Sequence, residues 1–271
     1  MYGILATVPT NGGFWAWVGF LIQEYGLILL KGCGWTLLLA IVGTIVGCVL
    51  GFLCGFIQTI EVIKTDIYFK KISVWVLKTI STIYVEVFRG TPMMVQAMVI
   101  FYGLPLIGIT IDAIPCGFLV VSINTGAYMA ESVRGGIISV DPGQMEGAKA
   151  IGMTHVQAMK NVILPQAIRN IMPQIGNNLI INIKDTSVLS VISIVDLFFV
   201  HKSVAGALYT YFESATIVMA IYLTMTLVTS RLLLLVEKRM DGDANYELVD
   251  TMDIGNQLRT VRENDGEGRR G

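Results

Sequence analysis

Residues 141–165, DPGQMEGAKAIGMTHVQAMKNVILP, decide how the rest of the chain is read. They lie between long apolar runs, yet include Lys149, His155, Gln157, Lys160 and Asn161. A Lys at the centre of a membrane helix costs about 2.5–3.5 kcal/mol by itself. The stretch is therefore a polar excursion between spans. Two helix starts are legible in it. Asp141 can cap a first helix with Pro142 at the first helical position, where a missing N–H is no loss. Thr154 can cap a second, with Gln157 at the reciprocal capping-box position. Gly152 supplies the elbow between them. The pattern predicts two short helices at a sharp bend, with Gly147, Ala148 and Ala150 small enough for a partner to come close.

The flanking composition is that of an integral membrane protein. Of the 271 residues, 54% are hydrophobic and only 14% charged, and mean hydropathy is +0.67; a soluble domain of this length needs more surface charge. A net charge of −1 and a pI near 6.1 give no sign of a nucleic-acid partner. No cleavable signal peptide is expected, because the start is not basic and the following apolar stretch is too long. Cys33, Cys48, Cys54 and Cys116 lie in or beside apolar runs, and only His155 and His201 accompany them. Neither metal-type spacing nor a zinc centre is expected. The chain has no GxxxxGK[ST] phosphate loop, so no cofactor is expected on it, and ATP would not bind by that route.

Residues 146–165 resemble the EAA signature of ABC importer permeases. Glu146-Gly147-Ala148 is followed after three residues by Gly152 and after nine more by Val162-Ile163-Leu164-Pro165. Gly147 stands where the family usually has Ala, and Val162 where it usually has Ile. Gly147 loosens its helix by up to about 1 kcal/mol relative to Ala. VEVFRGTPMMVQ (85–96), NTGAYMAESVRGGI (124–137), LPQAIRNIMPQIGNN (164–178) and KDTSVLSVI (184–192) are similar to the polar amino acid branch of that family. The likeness runs from about residue 25 to residue 240. It implies an all-α integral membrane protein with five transmembrane helices in a type I ABC importer permease arrangement, carrying a cytoplasmic two-helix coupling segment at 141–162. It implies ATPase-coupling roles for Glu146, Gly147, Ala148, Gly152, Leu164 and Pro165. It also implies partners: a second permease subunit, identical or not, two ATP-binding cassette subunits, an external solute-binding protein and an amino acid substrate.

In chain order, residues 14–30 are aromatic and apolar. They suit a segment at the headgroup level or an outer extension of the first helix. Residues 32–60 lack charge and form a first crossing; Gly43, Gly47, Gly51 and Gly55 make one stripe for close helix packing. Residues 61–71 form a charged turn. A second crossing is expected at 72–104 with a kink at Gly90-Thr91-Pro92, a third at 114–137, a fourth at 162–183 interrupted by Pro165 and Pro173, and a fifth at 214–236. Residues 185–203 read as a partial helix. The expected divisions are an external or interfacial segment (1–31), a permease domain (32–240) and an acidic, disordered cytoplasmic tail (241–271).

Lys64, Lys70, Lys71, Lys78, Arg134, Lys149, Lys160, Arg169, Arg231, Lys238 and Arg239 collect on one side, against Lys31, Lys184 and Lys202 on the other. By the positive-inside rule, this predicts a multi-pass protein with its N-terminus outside and its C-terminus and excursion in the cytoplasm; the resemblance implies that the membrane is a bacterial-type inner membrane.

Polar residues at membrane depth fall in two stripes. Asn124, Tyr128 and Glu131 share one face of the third span, and Gln174, Asn178, Asn182 and Asp185 share one of the fourth, with Asn177 and Lys184 beside them. Exposure of such groups to lipid is costly, so both stripes are expected to line a substrate pathway or tie helices together. A zwitterionic amino acid needs an acceptor for its ammonium (Asp185 or Glu131) and a donor for its carboxylate (Lys184, Arg89 or the amides). Glu86 and Arg89 are expected to neutralise each other. The function that the resemblance implies is the membrane subunit of an ATP-driven amino acid importer, itself not an enzyme. The alternative is an ion- or proton-coupled secondary transporter, which would use the same intramembrane carboxylates without an ATPase.

Overall fold

In the computed structural model, residues 8–9, 13–60 and 67–241 are described. The turn at 61–66, the N-terminal stretch and the tail at 242–271 lie outside the described residues, together with the disorder expected of that tail. Among the described residues the secondary structure is helical and no strand occurs.

The first helix, α1 (Phe14–Thr59), runs unbroken for 46 residues, about 70 Å at the α-helical rise. The aromatic N-terminal segment is thus an extension of the first crossing, and the division expected at 31/32 falls within one helix. Next come α2 (Tyr68–Gly90) and α3 (Met93–Gly103). The expected kink at Gly90-Thr91-Pro92 is a 108° corner between two separate helices. Thr91 precedes a proline and is forced extended (φ −125°, ψ 145°), which ends α2 outright.

The third crossing is α4 (Ala113–Ile138). The excursion provides α5 (Pro142–Ala150) and the one-turn α6 (His155–Ala158). The second short helix is not a separate element. It continues through a π-turn (Met159–Ile163) into α7 (Leu164–Asp185), so the fourth span is not interrupted. Pro165 cannot donate to a helical carbonyl; the wider turn ends just before it, with Leu164 N–H bonded to Met159 O. Pro173 lies within α7. A 3-10 turn (Thr186–Ile192), α8 (Leu197–Leu208) and α9 (Tyr211–Asp241) complete the chain.

Among the described residues three helices are long and apolar enough to cross a membrane, α1, α4 and α9. The bent pairs α2–α3 and α6–α8 raise that number to five if each counts as one span.

The tightest packing is between α1 and α4. Gly43, Gly47, Gly51 and Gly55 face Val121, Thr125, Met129 and Val133, four-residue stripes on both helices. A Cβ on Gly47 would lie 2.6 Å from Thr125 Cβ, and one on Gly51 would lie 2.9 Å from Ala130 N. Only glycine permits this approach, the membrane substitute for a hydrophobic driving force. One buried polar tie crosses the same seam. Asn182 of α7 donates through Nδ2 to Thr44 Oγ1 (2.8 Å) and Thr125 Oγ1 (2.9 Å), joining α1, α4 and α7.

Gly51→Ala should lower the subunit's stability by about 1–3 kcal/mol through overpacking. Gly19→Ala, with open space around its Cβ, should be neutral or stabilising by up to about 1 kcal/mol. Thermal unfolding of both in detergent tests this, and equal behaviour would contradict the seam. Asn182→Ala should cost about 0.6–1.7 kcal/mol in the same assay.

Candidate functional site

Polar groups of α2 and α4 converge on Arg89, near the C-terminal end of α2. Its guanidinium pairs with Glu131 of α4 and lies 5.4 Å from the centroid of the Tyr128 ring. Tyr128 and Glu131 are three residues apart on one face of α4, so a single helix presents both an aromatic face and a carboxylate to the cation. The expected Glu86–Arg89 pair does not form; Arg89 turns across the helix interface to Glu131.

These three side chains line an open cavity of about 470 Å³ together with Gln174, Asn177 and Asn178 of α7. Asn178 Nδ2 donates to Gln174 O (2.9 Å) and Met129 Sδ (3.2 Å), which leaves its side-chain oxygen without a partner among the described residues. Arg89 and Glu131 are 38% and 42% exposed. The pair is accessible to a solute, and a cation, an anion and several amides stand within one chamber. Ser132, Ser139 and Asn170 also line it; Asn170 extends the α7 stripe by one turn and Ser132 lies one turn beyond Tyr128, spacing that could have found those two.

Other residues of the expected pathway lie elsewhere. Asn124 turns away to the α2–α3 corner, where its Nδ2 donates to Phe88 O (3.2 Å) and Gln96 Oε1 (3.1 Å). Asn182 is buried in the three-helix tie described above, because its two threonine partners consume the amide. Lys184 and Asp185 are exposed at the C-terminal end of α7 and do not line the cavity. Helical spacing aligned these residues correctly along their faces, but neighbouring helices cover each face unevenly.

The excursion has the local chemistry expected of it. Asp141 Oδ1 accepts from Gly143 N–H at 2.6 Å. Thr154 and Gln157 form the full capping box, Gln157 N–H to Thr154 Oγ1 (3.3 Å) and Thr154 N–H to Gln157 Oε1 (2.9 Å). Gly152 sits at φ +87° with open space around it. The elbow thus rests on left-handed backbone geometry and not on crowding.

Glu146, Gly147 and Pro165 are exposed and Leu164 is half-buried. Ala148 is 5% exposed; its methyl is already covered by this chain and is not free for a partner. On either side of the elbow Ile151 and Val156 are 75% and 73% exposed, an apolar tip that the polar reading of the stretch overlooked. Behind it a cavity of about 810 Å³ is lined by Lys78, Arg134, Glu146, Lys149 and His155.

Residues 71–242 match the family described as binding-protein-dependent transport system inner membrane component. The glutamine transport system permease protein of Escherichia coli (strain K12) is 34% identical over 215 residues, 79% of this chain and 93% of that protein. The L-cystine transport system permease protein of Bacillus subtilis (strain 168) is 38% identical over 170 residues, 61% of this chain and 71% of that one. A solved structure, the crystal structure of an amino acid ABC transporter with histidines, superposes with a TM-score of 0.74 at 36% identity, covering 85% of this chain and all (100%) of that one. By sequence along most of its length, and by fold, the chain belongs to the family of binding-protein-dependent transport system inner membrane components.

Proposed function

We propose that this chain is the membrane-spanning subunit of an ATP-driven importer of amino acids. The observation that carries the reading is the Arg89–Glu131 pair beside the amides of Gln174, Asn177 and Asn178 in one chamber. A zwitterion entering there can exchange with the pair. Its carboxylate takes the Arg89 fork, which suits planar two-oxygen anions. Its ammonium takes Glu131, and the amides complete both shells. Tyr128 holds the guanidinium from behind during the exchange.

Relatives named as glutamine, L-cystine and arginine permeases support an amino acid as the cargo. The binding-protein-dependent family supports an external solute-binding protein, a second permease subunit and two cytoplasmic ATP-binding cassette subunits. ATP would be hydrolysed on those cassettes. The bent segment at 141–162 is the seat for them, with Glu146 and the tip formed by Ile151 and Val156 as contact points and Leu164 and Pro165 joining it to the span. In this reading the N-terminus is outside the inner membrane and the excursion and C-terminus are cytoplasmic. Movement of the cassettes shifts the population between outward- and inward-open states.

Reconstitution with its cognate ATPase and binding protein should give ATP-dependent uptake of at least one of L-glutamine, L-arginine and L-cystine. Uptake driven by an ion gradient after ATP removal would instead favour a secondary transporter. In the working system, Arg89→Ala and Glu131→Gln should each lower uptake efficiency about tenfold or more, the scale of a lost charge-assisted bond. Parental values for both would empty the chamber of its role. Gly152→Val places a β-branched residue in left-handed geometry, a strain of about 1–2 kcal/mol. The subunit should still insert, but ATP hydrolysed per solute imported should rise severalfold; an unchanged ratio would remove the elbow from the coupling path.

A further inference from the structure

The proline that ends α2 leaves a backbone carbonyl without its helical donor. In a continuous helix Phe88 O would accept from the N–H four residues on, but that residue is Pro92, which has none. Two side-chain amides replace it. Gln96 Nε2 donates to Phe88 O at 2.9 Å and Asn124 Nδ2 donates to the same oxygen at 3.2 Å. Gln96 Nε2 also reaches Thr91 O and Thr91 Oγ1, each at 2.9 Å. With two N–H groups and three acceptors, one N–H is shared. Gln96 Oε1 accepts from Asn124 at 3.1 Å, which closes the network. Gln96 is only 7% exposed, so water does not compete for these bonds.

The clamped groups, Phe88 O and Thr91, flank Arg89 in the chain. The far end of Arg89 is held by Tyr128 and Glu131, four and seven residues beyond Asn124 on the same face of α4. One stripe of α4 therefore holds this stretch twice, at the Phe88 carbonyl just before Arg89 through Asn124 and at the Arg89 guanidinium through Tyr128 and Glu131. Helix docking does not depend on that upper grip, because Tyr84 OH already ties α2 to Ile123 O at 2.7 Å, one turn earlier on α2. What the grip adds is a fixed starting point for the Arg89 side chain.

We infer that Asn124 and Gln96 are positioning residues for substrate binding: by satisfying the carbonyl orphaned by Pro92, they set where the Arg89 guanidinium stands in the chamber. They do not touch the solute. The inference rests on the reading of that chamber as the amino acid pathway.

The test uses the assembled transporter in proteoliposomes with whichever of L-glutamine, L-arginine and L-cystine is imported fastest. Asn124→Ala should raise KM about three- to tenfold, the size of one or two lost hydrogen bonds, with maximum rate per assembled complex within about twofold. Asn124→Ser, which keeps a short donor, should recover part of the loss, and Gln96→Ala should reproduce the KM effect. In an Arg89→Lys background, Asn124→Ala should shift KM by less than about twofold, because residues acting through one group do not add. A parental KM with a lowered maximum rate would mean that the network only holds the fold, and would overturn the inference. So would the full Asn124→Ala effect in the Arg89→Lys background. A parental KM for Arg89→Lys itself would instead remove the chamber from the pathway, and the inference with it; that failure is separate, since the variant keeps the clamp.

Discussion

Everything in the described chain depends on how closely α1 and α4 approach. In lipid, apolar side chains gain nothing by leaving their surroundings for each other, so contact must come from backbone proximity and van der Waals packing. The four-residue glycine stripe on α1 supplies that proximity against Val121, Thr125, Met129 and Val133. With that face of α4 anchored, its other faces are free for different work. One carries Asn124, Tyr128 and Glu131 to the end of α2; another meets α7, where Gly136 lies against Ile171 and the Ala167 carbonyl. Thr125 belongs to both kinds of contact, because its hydroxyl also receives the Asn182 amide.

How much of this could be seen in the residues alone depends on range. The glycine stripe, the proline-led α5, the Thr154–Gln157 capping box and the left-handed Gly152 are local, and all were legible, because each is fixed within a turn or two of chain. The Gly90-Thr91-Pro92 break was legible as a break, but its 108° angle was not. Sequence forbids helix at Thr91; it does not say where the next helix goes. The uninterrupted course from α6 to α7 was missed for a related reason. Prolines read as stops, whereas an extra residue per turn over Met159–Ile163 carries the helix to Pro165.

The polar residues divide more instructively. Periodicity placed Asn124, Tyr128 and Glu131 on one line, which is correct, yet the line crosses from the α2–α3 corner into the chamber. Asn124 serves the corner and the other two serve the chamber. On α7, Gln174 and Asn178 reach the chamber while Asn182 is consumed by two threonines and Lys184 and Asp185 emerge at the surface. A stripe tells which residues share a face, and only the neighbouring helices tell which segment of that face is open. Arg89 was judged by its nearest neighbour in sequence, Glu86, when the decisive partner was a carboxylate of another helix.

The π-turn has a further mechanical meaning. Although Pro165 and Pro173 each lack a backbone donor, residues 155–185 keep helical geometry through the π-turn as one continuous rod, roughly 46 Å long at the helical rise. The exposed apolar tip stands at one end of this rod, and the chamber amides of Gln174 and Asn178 are part of its shaft. A tilt of the rod by about 10° carries a point 30 Å along it through roughly 5 Å, comparable to the width of an amino acid backbone. A push at the tip would then reach the chamber amides through the helix itself, without a chain of side-chain contacts.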